Sequence, residues 1–213
     1  MVIINTNNNI RIGVLALQGA FREHCSCIEK LDVQAVQIRL PEELKEVDGL
    51  IIPGGESTTM YKLMDKYCFK DALTEFNKMG KPIYGTCAGL IVLAKYVVKS
   101  CSYLGFIDIK VARNYYGRQI DSFEQSVELK FDKRKRFNAI FIRAPRILDA
   151  GPGVEILAAI EDNIILAREN NILVSSFHPE LQEDLRIHEY FLNMIEINKK
   201  EECVCQVIQN GTL

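Results

Sequence analysis

The feature that most constrains this chain is an alternation of short apolar segments and amphipathic helices over its first half. Three apolar segments, residues 10–17, 33–38 and 48–52, predict buried strands. Apolar residues at helical spacing predict helices among them, for example over residues 20–31 and 70–79. Buried strands that alternate with helices pair in parallel through right-handed crossovers. The sequence therefore predicts an α/β fold with a mostly parallel central sheet.

The pattern changes after residue 100, where strand-like segments follow one another with little helix between them. These segments are residues 107–113, 121–130, 137–142, 154–160, 164–168 and 172–177. We expect antiparallel strands added to one side of the parallel core. A closing helix is predicted over residues 185–198, with Ile187 and Phe191 on its core face and His188 off that face, without a role.

Length and composition limit the class of protein. The chain has 213 residues, of which 48% are hydrophobic and 25% charged, and its formal net charge is -2. This balance is ordinary for a globular domain and gives no reason to expect nucleic acid or a membrane as partner. We expect one domain over residues 10–198, an N-terminal extension over 1–9 and a C-terminal tail over 199–213.

The cysteines favour a reducing compartment. There are seven of them without a C-x-x-C pair, and the first nine residues lack the pattern of a cleaved secretion signal. We therefore expect a cytoplasmic protein with reduced thiols. His24, His178 and His188 lie far apart in sequence, so neither a metal nor a cofactor is expected, although folding could still bring these ligands together.

A candidate nucleophile stands where a short apolar strand meets an apolar helix. The segment Gly85-Thr86-Cys87-Ala88-Gly89 places Cys87 on a sharp strand-to-helix turn. This is the arrangement of a nucleophile elbow, in which small residues let the backbone bend and the substrate approach. The positive end of the helix favours the reactive thiolate. Taken alone, the segment could equally hold an inert buried cysteine.

The segment His178-Pro179-Glu180 supplies a candidate base and its orienting group. It follows a predicted strand, and Pro179 disfavours helix at His178. In an extended segment, residues two apart share a side, so Glu180 can reach the imidazole and fix its tautomer. Alone, His178 could be a capping or core histidine. Together with Cys87, the pair predicts acyl transfer through a thioester.

A glycine turn after the third strand completes the predicted site. Pro53-Gly54-Gly55 leaves backbone N–H groups at the carboxyl edge of the sheet, where α/β folds bind ligands. One N–H of this turn and that of Ala88 are candidate oxyanion donors, each worth roughly 3 kcal/mol of barrier. Alone, the turn could be a plain connection, with residues 57–59 as helix N-caps, or a phosphate loop without the usual Lys-Ser/Thr ending.

These three motifs together resemble the class I (triad) glutamine amidotransferases. Further motifs resemble the glutaminase subunits of pyridoxal 5'-phosphate synthase, the PdxT family, and they occupy residues 13–19, 53–59, 113–124 and 142–145. The resemblance covers about residues 10–198. It implies a three-layer, flavodoxin-like fold with a mostly parallel central sheet and added antiparallel strands. Tyr116 departs from the pattern, since many relatives have phenylalanine there.

The resemblance implies that L-glutamine is hydrolysed to L-glutamate and ammonia without a cofactor, and that a TIM-barrel synthase subunit uses the ammonia to make pyridoxal 5'-phosphate. It implies that Cys87 is the nucleophile, His178 the base and later acid, and Glu180 the orienting group. The oxyanion donors would be Gly55 and Ala88. The substrate site would contain Gly54, Gly55, Glu56, Arg113, Ile142 and Arg143. The resemblance associates Gln18 with coupling between docking and the oxyanion site.

Other functions stay open from the sequence. Another amidotransferase glutaminase, such as that of imidazole glycerol phosphate synthase, would share the triad but not the stretch 113–124. A cysteine peptidase or chaperone of a related fold would lack the combination of the glycine turn and the His178-Pro179-Glu180 segment. A binding module that has kept the fold would not need an intact triad.

Overall fold

The computed structural model describes residues 10–113 and 122–210, with side chains through residue 201. The predicted N-terminal extension, the motif positions 114–121 with Tyr116, and residues 211–213 lie outside the described residues. The helices are α1 Phe21–Glu29, α2 Ser57–Lys66, α3 Phe69–Lys78, α4 Ala88–Leu93 and α5 Arg186–Asn210. Two 3-10 helices cover Pro41–Glu46 and Pro179–Leu181. The strands are β1 Arg11–Leu15, β2 Gln34–Ile38, β3 Gly49–Ile52, β4 Ile83–Thr86, β5 Ala94–Val97, β6 Ile107–Ala112, β7 Ser122–Leu129, β8 Asp132–Ile142, β9 Arg146–Ala150, β10 Glu155–Ile160, β11 Asn163–Glu169 and β12 Ile172–Ser175.

A central sheet with the strand order β2-β1-β3-β4-β12-β11-β9-β6-β5 carries the site. The first five of these strands are parallel to one another. From β12 onward, β11, β9 and β6 pair antiparallel, and β10 pairs with β11. The carboxyl ends of β1, β3, β4 and β12 therefore lie at one edge. The prediction of a mostly parallel sheet with antiparallel strands on one side is confirmed.

Successive side chains of the parallel strands enter two different cores, because they point to opposite faces of the sheet. In β4, Tyr84 packs in one core and Ile83 in the other, and in β12 the same holds for Leu173 and Val174. The first core also contains buried residues of α1, α5 and the β7–β8 hairpin. The second contains those of α2, α3 and α4. These are the three layers that the sequence predicts.

Two predictions near the end of the chain are wrong. Helix α5 continues to Asn210, beyond the predicted end at residue 198, and an ion pair of 2.9 Å between Lys199 and Asp48 holds one of the added turns. His188 is fully buried in the first core, because its ring meets that of His24 at a hydrogen-bonding distance of 3.0 Å. The division into a domain and two flanking segments stays a prediction.

Aromatic rings join the β7–β8 hairpin to the end of β12. The ring of the fully buried Phe177 lies 5.7 Å from that of Phe137 and 5.8 Å from that of Phe141, measured between centroids. The next residue is fixed as well, since the backbone N–H of His178 donates to the carbonyl of Ile140 at 2.8 Å. The hairpin therefore sets the path of the chain as it leaves the sheet.

We expect Phe177→Ala to lower the free energy of unfolding by about 3–5 kcal/mol, because truncating a buried ring removes contacts and leaves a cavity. Urea denaturation followed by circular dichroism measures the change. Ile197→Ala is the control, since Ile197 is 51% exposed. The control should change the free energy of unfolding by less than about 0.5 kcal/mol. An equally small effect of Phe177→Ala would contradict this packing role.

Candidate active site

Cys87 lies on a strained turn between β4 and α4. Its φ of 48° and ψ of -98° are unusual for a residue with a side chain, and it is 6% exposed. The flanking glycines are required, because a Cβ at Gly89 would overlap the carbonyl oxygen of Ile52 and one at Gly85 would lie 2.6 Å from a methyl carbon of Leu93. The backbone has the geometry expected of a nucleophile elbow.

Parallel pairing of β12 with β4 brings His178 to Cys87. Ser175 pairs with Thr86 at the ends of these strands, and the backbone N–H of Cys87 donates to the carbonyl of Ser175 at 2.9 Å. The side chains of His178 and Cys87 therefore lie at the same edge of the sheet and border one cavity. Gly54 packs against both, because a Cβ there would lie 2.5 Å from Cε1 of His178 and 3.4 Å from Cβ of Cys87.

Glu180 contacts the other side of the imidazole. Its Oε1 lies 2.7 Å from Nδ1 of His178, and its side chain is fully buried. The expectation of an extended segment is wrong, since residues Pro179–Leu181 form a 3-10 turn. Proline suits the first position of such a turn, because its fixed φ is compatible and its missing N–H is not needed there. The carboxylate reaches the ring by folding back within the turn.

Electrostatics place a proton on His178. Burial alone would lower its pKa, but the neighbouring Cys87 and Glu180 outweigh this effect and raise the pKa to about 10. Burial likewise opposes the charge of Glu180, yet the neighbouring His24 and His178 lower the pKa of that carboxyl. At neutral pH the site therefore holds an imidazolium beside the sulfur and a buried carboxylate behind it.

The glycine turn after β3 is held from the first strand-to-helix connection. The carbonyl of Gly54 accepts a hydrogen bond of 3.3 Å from the backbone N–H of Ala20. Because the peptide is trans, the N–H of Gly55 points away from Ala20. The side-chain amide of Gln18 packs against Gly55, and its Oε1 accepts from the backbone N–H of Glu56 at 3.2 Å. Gln18 therefore contacts this turn directly.

The N-cap of α2 differs from the prediction. Glu56, not a residue of the segment 57–59, caps the helix, since its carboxylate accepts from the backbone N–H groups of Thr58 at 2.9 Å and Thr59 at 2.6 Å. Burial is the largest single effect on this carboxylate and would raise its pKa. The hydrogen bonds with Thr59 and Thr58 prevail and lower the pKa of Glu56 to about 2. Glu56 is therefore ionised at neutral pH.

A cavity of about 420 Å³ opens beside the sulfur and the imidazole. It is lined by Gly55, Glu56, Ser57, Thr58, Cys87, Ile91, Arg113, Ile142, Arg143 and His178. The predicted site residues that do not line it are Gly54, Ala88, Glu180 and Gln18. Sequence reasoning missed the lining residues Ser57, Thr58 and Ile91, although Ile91 lies one helical turn after Cys87 and could have been found by that spacing.

Positive charge and a carbonyl border the cavity. Arg113 donates to Oγ of Ser100 at 3.2 Å, and its guanidinium lies 5.4 Å from the centroid of the Tyr61 ring. Arg143 is exposed at the cavity with a positive φ of 43°. The carbonyl oxygen of Ile142 lies 3.9 Å from Sγ of Cys87. The cavity thus offers cationic groups next to a nucleophile, which suits an anionic end of a substrate.

Two other clefts in the described residues lack this combination. Clefts of about 530 and 590 Å³ lie at the β6–β9 edge and beside α5, and neither is lined by a cysteine or a histidine. Within residues 10–113 and 122–210 there is no group of three or more His, Cys, Asp or Glu side chains that could hold a metal ion. In the same residues, no helix combines the length and hydropathy needed to cross a membrane.

Comparison with known proteins gives a consistent family. The SNO glutamine amidotransferase family matches residues 14–197. The pyridoxal 5'-phosphate synthase subunit PdxT of Thermosipho africanus is 56% identical over 188 residues, which cover 88% of this chain and 100% of that protein. The protein of the same name from Fervidobacterium nodosum is 53% identical over 190 residues, which cover 89% of this chain and 99% of that protein.

Solved structures agree with this result. The crystal structure of a glutamine amidotransferase superposes with a TM-score of 0.82 at 44% identity and covers 87% of this chain and 98% of its own. A glutamine amidotransferase from Thermotoga maritima, at 16% identity and a TM-score of 0.57, shares the fold over 92% of this chain and 93% of its own. The predicted class I amidotransferase fold is confirmed. The chain belongs to the SNO glutamine amidotransferase family.

Proposed function

We propose that this protein is the glutaminase subunit of a pyridoxal 5'-phosphate synthase, in which it hydrolyses L-glutamine to L-glutamate and ammonia. The names of its relatives support this assignment, since these relatives are synthase subunits. The alignment with this chain covers nearly their whole length. The observation that carries it is the placement of Cys87 and His178 at the wall of one cavity, with Glu180 Oε1 held 2.7 Å from Nδ1 of His178.

The geometry supports a two-stage acyl transfer. The Cys87 thiolate attacks the side-chain amide carbon of glutamine, and His178 donates its proton to the departing nitrogen, so that ammonia leaves and a thioester forms. His178, now neutral, takes a proton from water, which attacks the thioester and releases glutamate. Glu180 keeps the imidazole in the tautomer whose Nε2 faces the sulfur, because Nδ1 is held by the carboxylate.

Two backbone N–H groups are proposed to stabilise the oxyanion in both stages. Ala88 is the first residue of α4, so its N–H has no acceptor within the helix. Gly55 lines the cavity, and its N–H points away from α1. Gln18 contacts the Gly55 turn, so a partner that moves Gln18 would move this donor. We propose that Gln18 couples docking to the oxyanion site in this way.

The remaining cavity residues are proposed to bind the amino-acid end of glutamine. Arg113 and Arg143 suit the α-carboxylate, because guanidinium groups bind carboxylates through paired, charge-assisted hydrogen bonds. The ionised Glu56 and the carbonyl of Ile142 suit the α-ammonium group. Gly55 lines the cavity beside the substrate, whereas Gly54 leaves room for the imidazole of His178.

The ammonia is proposed to pass to a separate synthase subunit, as the names of the relatives imply for those proteins. That this partner is a TIM barrel is part of the same proposal and is based on the resemblance of the sequence motifs. We also propose a cytoplasmic location, because the described cysteines are all free thiols.

Replacing the nucleophile tests the function directly. We expect Cys87→Ala to abolish ammonia release from glutamine, measured by a coupled assay with the synthase subunit present, because the thioester cannot form without the sulfur. Cys68→Ala is the matched control, since Cys68 is an exposed free thiol outside the cavity, and it should keep full activity. Retained activity in Cys87→Ala would reject the assigned mechanism.

The close approach of Gly54 to both catalytic side chains gives a second test. We expect Gly54→Ala to lower kcat by about 100-fold or more, because the new Cβ would displace the imidazole and a shift of about 1 Å has that effect on aligned groups. Gly153→Ala is the control, since its Cβ would meet only the flexible carboxylate of Glu169. Equal kcat values for the two variants would show that His178 need not occupy this position.

The proposed substrate contact of Arg143 predicts an effect on KM. We expect Arg143→Ala to raise KM for glutamine by about 10- to 100-fold, because a hydrogen bond between charged groups contributes roughly 1.5–3 kcal/mol. Steady-state kinetics with the synthase subunit present measure it. Arg134→Ala, at an exposed arginine of the hairpin, should leave KM unchanged. An unchanged KM in Arg143→Ala would remove Arg143 from the substrate site.

A further inference from the structure

Behind Glu180 lie two buried histidines that the mechanism above does not use. His24 on α1 and His188 on α5 are both fully buried, and Nδ1 of His24 lies 3.0 Å from Nε2 of His188. The other nitrogen of His24, Nε2, lies 3.4 Å from Oε2 of Glu180 and 3.2 Å from Oγ1 of Thr86. A continuous line of polar groups therefore runs from the sulfur through His178 and Glu180 into the core.

The carboxylate of Glu180 needs a second donor. Its Oε1 is hydrogen-bonded to His178. Its Oε2 is buried and has no hydrogen-bond partner in the described residues. A buried, ionised oxygen without a donor is costly, because it has lost its hydration. Nε2 of His24 is the nitrogen that faces this oxygen, at 3.4 Å. The same nitrogen lies 3.2 Å from Oγ1 of Thr86, so this hydroxyl competes with Oε2 for its proton.

Only one arrangement of protons suits both histidines. Nδ1 of His188 is buried without a partner in the described residues, so a proton there would be an orphaned donor. Placing the proton of His188 on Nε2 lets it donate to Nδ1 of His24. His24 then carries its own proton on Nε2, where it meets the negative Oε2 of Glu180. In the reverse arrangement, the lone pair on Nε2 of His24 would accept from the hydroxyl of Thr86, which leaves an orphaned proton on His188 and a carboxylate oxygen without a donor.

We propose that His24 is a positioning residue of the catalytic triad, in which its Nε2–H donates to Oε2 of Glu180 while His188 fixes its tautomer. The proposal rests on the proposed glutaminase function. His24 touches neither the cavity nor the sulfur, and it acts through the carboxylate that orients His178. Helices α1 and α5 thereby become part of the support of the active site.

The charges around His24 favour this role. Burial lowers its pKa, although the nearby Glu180 opposes that effect, and burial together with His24 lowers the pKa of His188 to about 3. Both rings are therefore neutral at pH 7, and the imidazolium stays on His178. The other titratable groups near this pair are Glu23, Cys27 and Tyr84. A neutral His24 holds the carboxylate without competing for the catalytic proton.

The pH dependence of kcat distinguishes a hydrogen-bonding role of His24 from a role in packing alone. In the folded protein, His24 and His178 lower the pKa of Glu180 against the effect of burial. Without the N–H of the neutral His24 that faces Oε2, the buried carboxylate loses a donor and its pKa rises, so the carboxyl takes up a proton at a higher pH than before. Activity needs the carboxylate and is lost as the pH falls through this pKa. The acid limb of the kcat profile should therefore move to higher pH in a variant without the donor.

Three substitutions of His24 separate the donor from the bulk of the ring. His24→Leu removes the donor, and we expect kcat to fall by about 10- to 100-fold, as for other supporting partners of a catalytic ligand, with KM within about twofold. In His24→Gln the amide nitrogen extends as far as Nε2 of histidine. We therefore expect kcat and the pH of the acid limb to be close to their wild-type values. In His24→Asn the amide is too short, and neither should return.

The tautomers are measured independently by NMR of the protein with 15N-labelled histidine. The chain contains three histidines, so the imidazole spectrum has few signals to assign. At pH 7 we expect His24 and His188 to carry a proton on Nε2 alone. An unprotonated Nε2 on His24 would overturn the proposal, as would a folded His24→Leu variant with unchanged kcat and acid limb. If the wild-type protein released no ammonia with its synthase, the proposed function would fail, and the spectrum would still test the proposed proton on Nε2 of His24.

Discussion

Parallel pairing of β12 with β4 is the interaction on which the site depends. Ser175 and Thr86 form the last pair of these two strands. Beyond this pair, β4 leads directly to Cys87, and β12 leads to His178 three residues later. Residues about ninety positions apart thereby meet at the wall of one cavity. Because β3 pairs with the opposite side of β4, the Gly54 turn reaches the same edge. Strand order, rather than any local motif, brings together the proposed nucleophile, its proposed base and the proposed oxyanion donors.

The site also requires an ionised carboxylate in the core, which folding alone disfavours. Glu180 has lost its hydration, and hydrogen bonds from imidazole groups must replace it. His178 supplies one such bond on the catalytic side, and the proposed bond from His24 would supply another from the core side. A carboxylate held from both sides has little freedom to rotate, so it can keep His178 aligned while the imidazole gains and loses its proton. Stability and catalysis thus depend on the same buried charge.

The sequence predicts much of this arrangement because the relevant signals are local. Short apolar strands that alternate with helices indicate the parallel sheet, and the small residues around Cys87 indicate the elbow. It does not predict the pairing of His24 with His188, since the two rings are 164 positions apart and polar residues add nothing to an apolar pattern. The cap formed by Glu56 and the 3-10 turn at Glu180 depend on side-chain hydrogen bonds that compete with equally plausible local choices. Strands β5 and β9 are short and closely follow other elements, so the sequence has no long turn or change of hydrophobic periodicity that would predict where they begin.

The proposed mechanism requires Sγ of Cys87 to form a covalent bond with the side-chain amide carbon of glutamine. Alkylation with a diazoketone analogue of glutamine, in the presence of the synthase subunit and followed by peptide mass mapping, tests it most directly. The account predicts one adduct, on the peptide containing Cys87, whose formation is suppressed by excess glutamine. An adduct on the exposed Cys68 or Cys101 with Cys87 unmodified, or labelling that glutamine does not suppress, would contradict it.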